Sequence, residues 1–432
     1  MTSNSPIGCS VTTEIYEQPM AAPATPAKAR LTGKRVGMVV LSSYPSDPRP
    51  RRVIDALRQE GMIVDLICVG DEDQARQEQL EGLNITRLPI RHTRGGALLY
   101  AYQYSAFILW SACLFAMRAF RRRYDLIYVH NMPDILVISS LIPKALGAKV
   151  ILDQHDPMPE LLMTIFGAAE HSRTVRLLAL LEKWSLGRVD QALTVNVACK
   201  RLFGSRSCAP EKIGVVMNSP DPSIFPFRSA RSYRSGPHDH TKPFTIMYHG
   251  SLVERNGLDL AVEAVGTVRS VIPNVQLKVY GRATPFLDAV MKRVREKGMS
   301  DAVLYLGQRT HEQLVSDIEA CDVGVIPNHR NPFTDINTPT RIFEYLALGK
   351  PVIAPRTNGI LDYFDQESLL FFESGDAGSL AKQLLDVHFD PDKARETAER
   401  GQQVYLRHSW NQERQELVSI VNRLLNGDQH SS

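Results

Sequence analysis

None of the six cysteines sits in a C-x-x-C pair, so the sequence offers neither a zinc ribbon nor a dithiol redox motif. Cys9, Cys68, Cys113, Cys199, Cys208 and Cys321 are scattered singly, a usage that fits a reducing cytoplasm. H-E-x-x-H, G-x-S-x-G and Walker A sequences are all missing, which removes zincin, α/β-hydrolase and P-loop chemistry. A formal net charge of +3 is too small to argue for nucleic acid as partner. The first 35 residues hold no apolar run, so no secretory signal is expected. No internal repeat is found. The triplets Asp71-Glu72-Asp73 and Asp390-Pro391-Asp392 fall at a turn and at a helix start; no metal or other cofactor is expected. What is present is ordinary globular material: 432 residues, 44% hydrophobic and 22% charged, a length that favours two or three domains.

The most informative stretch is TPTRIFEYLALGKPVIAP, Thr338 to Pro355. Thr338 is suited to cap a helix, with Pro339 at the first helical position. Ile342, Phe343, Leu346 and Ala347 recur at helical spacing. Gly349 supplies a left-handed stop, and Val352 to Ala354 a short buried strand. Such a helix start is an anion site, made of free N–H groups and the positive end of the dipole. Arg341 in the first turn adds a formal charge. Glu344, one turn further on the same face, would repel a phosphate but can accept hydrogen bonds from two sugar hydroxyls. Phosphate at the tip and ribose one turn below is the layout of a bound nucleotide.

Elsewhere short apolar runs alternate with helical patterns. Val36 to Leu41 predicts a first buried strand. The loop SSYPSDPRPRR, a helix near Arg52 to Glu60 and a strand over Ile63 to Val69 complete a βαβ unit. Its loop lacks G-x-G-x-x-G, so a dinucleotide fingerprint is absent. Further strands are expected at Ile85 to Leu88, Asp125 to Asn131, Lys149 to Leu152, Ala192 to Asn196 and Ile213 to Met217. Helices are expected over Ile135 to Leu146 and Thr174 to Leu186. Residues 219–243 hold five prolines and few aliphatics, which places an interdomain linker there. A second series opens with the strand Phe244 to His249 and closes with a helix over Trp410 to Leu425. Gly95 to Met117 carries no charge and precedes Arg118, Arg121, Arg122 and Arg123. Its length could span a bilayer, but the strands on either side belong to one βαβ series, so a span is rejected. Two placements stay open: a helix on an anionic membrane surface, or one packed on the sheet.

Ligands of open α/β sheets bind beyond the carboxyl ends of the strands. His130 and His155 both stand at such ends, His155 within the run D-x-H-D-x-x-P-E between Asp153 and Asp156. The turn Gly250-Ser251-Leu252-Val253-Glu254-Arg255-Asn256-Gly257 has glycines that let a backbone approach an anion. These loops, with residues 338–355, resemble the GT-B glycosyltransferases, specifically glycosyltransferase family 4. Two departures from the family pattern stand out. Ile336 occupies the first position of its E-x7-E glutamate pair, where Asp335 or the backbone after Asn337 would have to stand in. Ser251 and Asn256 replace the Arg and Lys of G-R-L-x-x-x-K-G, which leaves Arg255 as the cation of that loop.

The resemblance implies an α/β protein with two Rossmann-like domains facing a cleft. Residues 1–33 would be a disordered leader, 34–218 the acceptor domain, 219–243 the linker and 244–405 the nucleotide-sugar domain. Residues 406–427 would be a helix returning to the first domain. It further implies metal-independent glycosyl transfer with retention, from a UDP- or GDP-sugar to a glycan or polyprenyl-linked acceptor. Cell-surface polysaccharide synthesis in the cytoplasm, with peripheral contact to anionic membrane, would be the setting. His155, Asp156 and Arg255 are the expected catalytic residues. Gly250, Ser251, Asn256, Gly281, Thr338, Arg341 and Glu344 are expected on the donor, and Arg49, Arg52 and His130 on the acceptor side. The rivals are a GT-B-type sugar-nucleotide epimerase and an inactive nucleotide-sugar-binding protein.

Overall fold

Short runs of Val, Ile and Leu, each closed by a turn residue, form two separate β-sheets in the computed structural model, which describes residues 31–71, 73–90, 97–232 and 242–427. Residues 1–30 of the expected leader, residues 233–241 of the expected linker and Glu72 of the first acidic triplet lie outside the described residues. In the first half the strands are β1 (Arg35–Ser43), β2 (Ile63–Val69), β3 (Gln77–Leu80), β4 (Leu83–Leu88), β5 (Leu126–His130), β6 (Lys149–Gln154), β7 (Gln191–Thr194) and β8 (Ile213–Val215). They lie in the order β3-β4-β2-β1-β5-β6-β7-β8, parallel except for the β3–β4 edge hairpin. The second half contributes β9 (Thr245–His249), β10 (Gln276–Tyr280), β11 (Val303–Tyr305), β12 (Val323–Val325), β13 (Val352–Pro355) and β14 (Leu370–Phe372). Their order, β11-β10-β9-β12-β13-β14, is that of a Rossmann sheet, and it reverses between β9 and β12.

Parallel strands are covered on both faces, which is why they read as near-continuous apolar runs. One face of the first sheet is closed by the helix Pro48–Gln59 and by the final helix, Trp410–Asn426. Leu417, Ile420 and Val421 of that final helix share a core with Val36, Met38 and Leu193, so the chain returns to its first domain. The opposite face is closed by the 25-residue helix Ala97–Arg121, whose Phe107 and Phe115 pack against Val39 and Ile127. That helix is therefore packed on the sheet, and no helix of the described residues is long and apolar enough to cross a membrane.

Several sequence expectations are corrected. The first helix starts at Pro48, capped by Asp47, rather than near Arg52. The helix expected over Ile135 to Leu146 is a 3-10 helix, Asp134–Ser140, followed by one short turn, Leu141–Ala145. Ser139 and Ser140 hydroxyls donate to the carbonyls of Leu136 and Val137, competing with α-helical bonding. An unexpected helix, Pro285–Glu296, begins behind the capping side chain of Thr284, and the helix expected to start at Asp390 runs over Pro391–Arg407 with Asp390 as its cap.

Candidate active site

The helix Thr340–Ala347 starts at the crevice between β9 and β12, where the strand order reverses. Its N-cap is Pro339, with no side chain bonded to the free N–H groups. Thr338 is not the cap: its hydroxyl donates to the Gly359 carbonyl and accepts from the Asn196 side chain, 2.7 and 3.2 Å away. The anion-binding tip is thereby left open, with its positive dipole end unopposed. Gly349 ends this element at φ +71°, as its place before Pro351 predicts.

Arg341 lies under the turn that follows β9. Its guanidinium donates to the His249 carbonyl at 2.7 Å and to Asn328 Oδ1 at 3.2 Å, and it lies over the Tyr248 ring. A side chain at Gly250 would press on Arg341. Gly281 closes behind: a Cβ there would come within 2.2 Å of the Gly250 carbonyl, so only glycine fits. Gly257, at φ +69°, opens the helix Leu258–Val268, and a Cβ there would meet the Pro327 carbonyl at 1.8 Å. Within the turn Asn256 donates to the Ser251 carbonyl at 2.8 Å, as a brace of the loop, while Ser251 itself is exposed. Arg255 is half-buried beside the Phe333 ring.

Glu344 sits one turn into the helix Thr340–Ala347, near His249, a residue that the sequence did not single out. Burial raises the Glu344 carboxyl to about 7, while Arg341 and Arg52 pull it down. Burial, and then the charge of Arg341, lowers His249 to about 3, so that imidazole is neutral. The candidate stand-in for the first glutamate is committed elsewhere: Asp335 pairs with Arg330 and accepts from Asn358. Ile336 packs against the first domain.

Across the cleft, Asp153 at the end of β6 is fully buried and central. Arg49 donates to both of its oxygens, at 2.6 and 3.0 Å, and Tyr128 donates to one of them at 3.0 Å. Burial alone would raise Asp153, yet Arg49 and the neighbouring histidines hold it well below the usual carboxylate range. His130 Nδ1 stands 3.0 Å from His155 Nε2, and Asp153 Oδ2 is 3.4 and 3.6 Å from these two nitrogens. One ligand atom each from His130, Asp153 and His155 falls within 4.8 Å of the others. With the Asp153 oxygens taken by Arg49 and Tyr128, hydrogen bonding accounts for the cluster.

The structure corrects the reading of Arg49 and Arg52 as acceptor-facing cations. Both are buried. The remaining Arg49 nitrogen donates to the Val216 carbonyl, and Arg52 donates to the Ser219 carbonyl and Asn218 while stacking on Trp410. Burial, and then repulsion from Arg49, lowers Arg52 to about 10.

Asn131 is a second residue that the sequence did not single out. Its amide donates to Asp134 and to the Asp156 carbonyl, and its oxygen accepts from the His155 N–H at 2.8 Å. It fixes the loop on which His155 and Asp156 stand. Asp156 is raised by burial, with His155 and then Arg255 opposing, so the catalytic candidates of the two halves face each other electrostatically. Asn196 ties the halves together: it caps the helix Val197–Arg206 through Cys199 N–H and donates to the Ile336 carbonyl and to Thr338. The signal for both asparagines was present only as Asn after a strand, a pattern too common to single out.

Residues 47–219 match the family described as glycosyl transferase 4-like domain, and residues 231–404 match glycosyl transferases group 1. A glycogen synthase of Mycobacterium tuberculosis is 25% identical over 232 residues, 51% of this chain and 51% of that protein. A D-inositol 3-phosphate glycosyltransferase of Corynebacterium urealyticum is 26% identical over 186 residues, 41% of this chain and 43% of that protein. The chain thus spans about half the length of these relatives or somewhat less. Among solved structures, sucrose-phosphate synthase from Thermosynechococcus elongatus superposes with a TM-score of 0.70 at 18% identity, covering 90% of this chain and 99% of that one. Anabaena Alr3699/HepE in complex with UDP-glucose gives 0.65 at 16% identity, again over 90% and 99%. Both family models agree with the two facing Rossmann-like sheets: the chain belongs to the family 4 glycosyltransferases of GT-B fold.

Proposed function

We propose that this protein transfers a glycosyl group from a nucleotide sugar to a glycan or lipid-linked acceptor with retention at the anomeric carbon, in cell-surface polysaccharide synthesis. The observation that carries the reading is the uncapped start of the helix Thr340–Ala347, opening at the sheet's switch point with Glu344 one turn below. The diphosphate would take the free N–H groups and the ribose hydroxyls would donate to Glu344. A UDP- or GDP-sugar suits that layout, and a solved relative of the same fold holds UDP-glucose.

In the reaction the bond between the anomeric carbon and the diphosphate oxygen breaks, and the acceptor hydroxyl oxygen bonds to the same face. Its proton passes to the departing phosphate. Charge builds on that phosphate, so helix N–H groups and Arg255 supply the main stabilisation. His155, held by His130 and Asn131, positions the sugar over the leaving oxygen. A lipid-linked acceptor would be met at the cytoplasmic face of an anionic membrane.

The test is to screen UDP-, GDP-, ADP- and dTDP-sugars for thermal stabilisation, since a ligand of the native state raises the midpoint. Products are then analysed with and without acceptor. An epimerised donor without acceptor would point to an epimerase. Binding with neither transfer nor hydrolysis would point to an inactive binding protein.

A further inference from the structure

The outer surface of the first domain is unlike the rest of the molecule. Of the nineteen exposed large hydrophobic residues among those described, eleven lie on four helices: Ala97–Arg121, Leu141–Ala145, Met158–Phe166 and Arg173–Arg188. These helices pack side by side on one face of the first sheet, and the 3-10 helix Asp134–Ser140 joins the second of them to its neighbours. The long helix buries Phe107 and Phe115 but turns a second apolar stripe outward: Leu99, Tyr102, Leu109, Met117 and Phe120. Tyr102 is 70% exposed and Phe120 73%. A helix that is apolar all round, yet lies at a surface, has a partner for its outer face.

Charge says which partner. The four helices contain two acids, Glu160 and Glu182, and both are buried on the fork of Arg206. Their exposed cations are Arg121 at the end of the long helix and Arg173, Arg176, Lys183 and Arg188 on Arg173–Arg188, with Arg122 and Arg123 following the first. Glu170, between two of the helices, is the exposed acid of their connecting loops. Leu177 and Leu180 stand among the cations of Arg173–Arg188, 53% and 64% exposed. Leucines in the plane with long basic side chains reaching past them is the arrangement of an interfacial helix. A symmetric dimer through this face would set its cations against themselves.

We infer that the four helices together form a docking face for an anionic lipid bilayer, with Arg173–Arg188 contributing as much as the long helix Ala97–Arg121. The inference rests on the proposed lipid-linked acceptor and extends it: the face continues to Ile165 and Phe166 at the end of Met158–Phe166. That helix also touches the other domain, where Thr164 donates to Asn331. A groove of about 480 Å³, whose lining includes Glu160, Met163, Glu170, Leu202, Pro332 and Ile336, opens there between the two halves. Docking on this face sets that groove, and the mouth of the cleft, against the headgroups.

The experiment is vesicle flotation of the full chain with neutral phosphatidylcholine and with a phosphatidylcholine–phosphatidylglycerol mixture, at low and high salt. The wild type is expected to float with the anionic mixture alone and to be released by salt. Leu177→Asp with Leu180→Asp, and separately Leu109→Asp with Met117→Asp, are each expected to reduce binding about tenfold or more. Circular dichroism and the melting point show that each variant is folded. Unchanged binding of the Leu177/Leu180 variant would confine the contact to the long helix and overturn the four-helix face. Failure of the wild type to float would overturn it outright, as would a wild-type dimer that either variant makes monomeric. Donor stabilisation by a nucleotide sugar, measured on the same variants without lipid, separates failure of this face from failure of the transferase reading.

Discussion

Glu344 Oε2 lies 3.4 Å from His249 Nε2 at the helix Thr340–Ala347, a carboxyl that burial has raised to about 7 beside an imidazole that burial keeps uncharged. The acid's ordinary value is 4.5 and its folded value about 7, so the protonated form is the one the fold prefers. The stability it lends is complete below pH 4.5 and is lost as pH rises through 7. At roughly 1.4 kcal/mol per pH unit between the two values, the loss amounts to up to about 3 kcal/mol.

Glu344→Gln should therefore be at least as stable as the wild type at pH 8, while binding donor about tenfold or more less tightly, because hydrogen bonds to charged groups are the stronger ones. Wild-type donor affinity should rise between pH 6 and 8 and that of the variant should stay flat. Calorimetric titration across that range reads both. A flat wild-type profile would remove Glu344 from the ribose.

Arg49→Met should destabilise the first domain by about 3–5 kcal/mol, since it strands Asp153 as a buried, unpaired charge. Urea denaturation measures this. Adding Asp153→Asn should recover part of the loss. Two independent, additive losses would mean that the pair is not the coupled unit its geometry describes.

His155→Ala should abolish transfer and leave binding of the free nucleoside diphosphate nearly unchanged. Asn131→Ala, which frees the loop without touching the imidazole, should lower turnover in the same direction but less. If His155→Ala loses nucleotide binding as well, the histidine holds the loop and does not act on the sugar.

Arg255→Ala should lower turnover about tenfold or more with little change in melting point, because a half-buried cation contributes to a developing charge more than to the fold. Asn256→Ala should instead cost about 1 kcal/mol of stability, the worth of one hydrogen bond across the turn. Full activity in Arg255→Ala, with loss in Asn256→Ala, would move the charge work elsewhere.

Local patterns along the chain settle most of the elements and where they stop. Valine- and isoleucine-rich runs form strands wherever both faces are covered, and Gly349 before Pro351 can only end a helix. The two strand-end loops and the open helix start with Arg341 and Glu344 are legible for the same reason. Partners are a matter of the folded chain. Arg49 and Arg52 read as acceptor-side cations until β1, β5 and β6 lie side by side, which brings Asp153, 104 positions away, under the Arg49 fork. Thr338 carries every local mark of a helix cap, yet its hydroxyl goes to Gly359, 21 positions away, and to Asn196 of the other domain. His249 gains its altered acidity only when the fold buries it beside Arg341 of the helix Thr340–Ala347. Side-chain pairing and burial depend on which strands become neighbours, and that order is set by the whole chain at once.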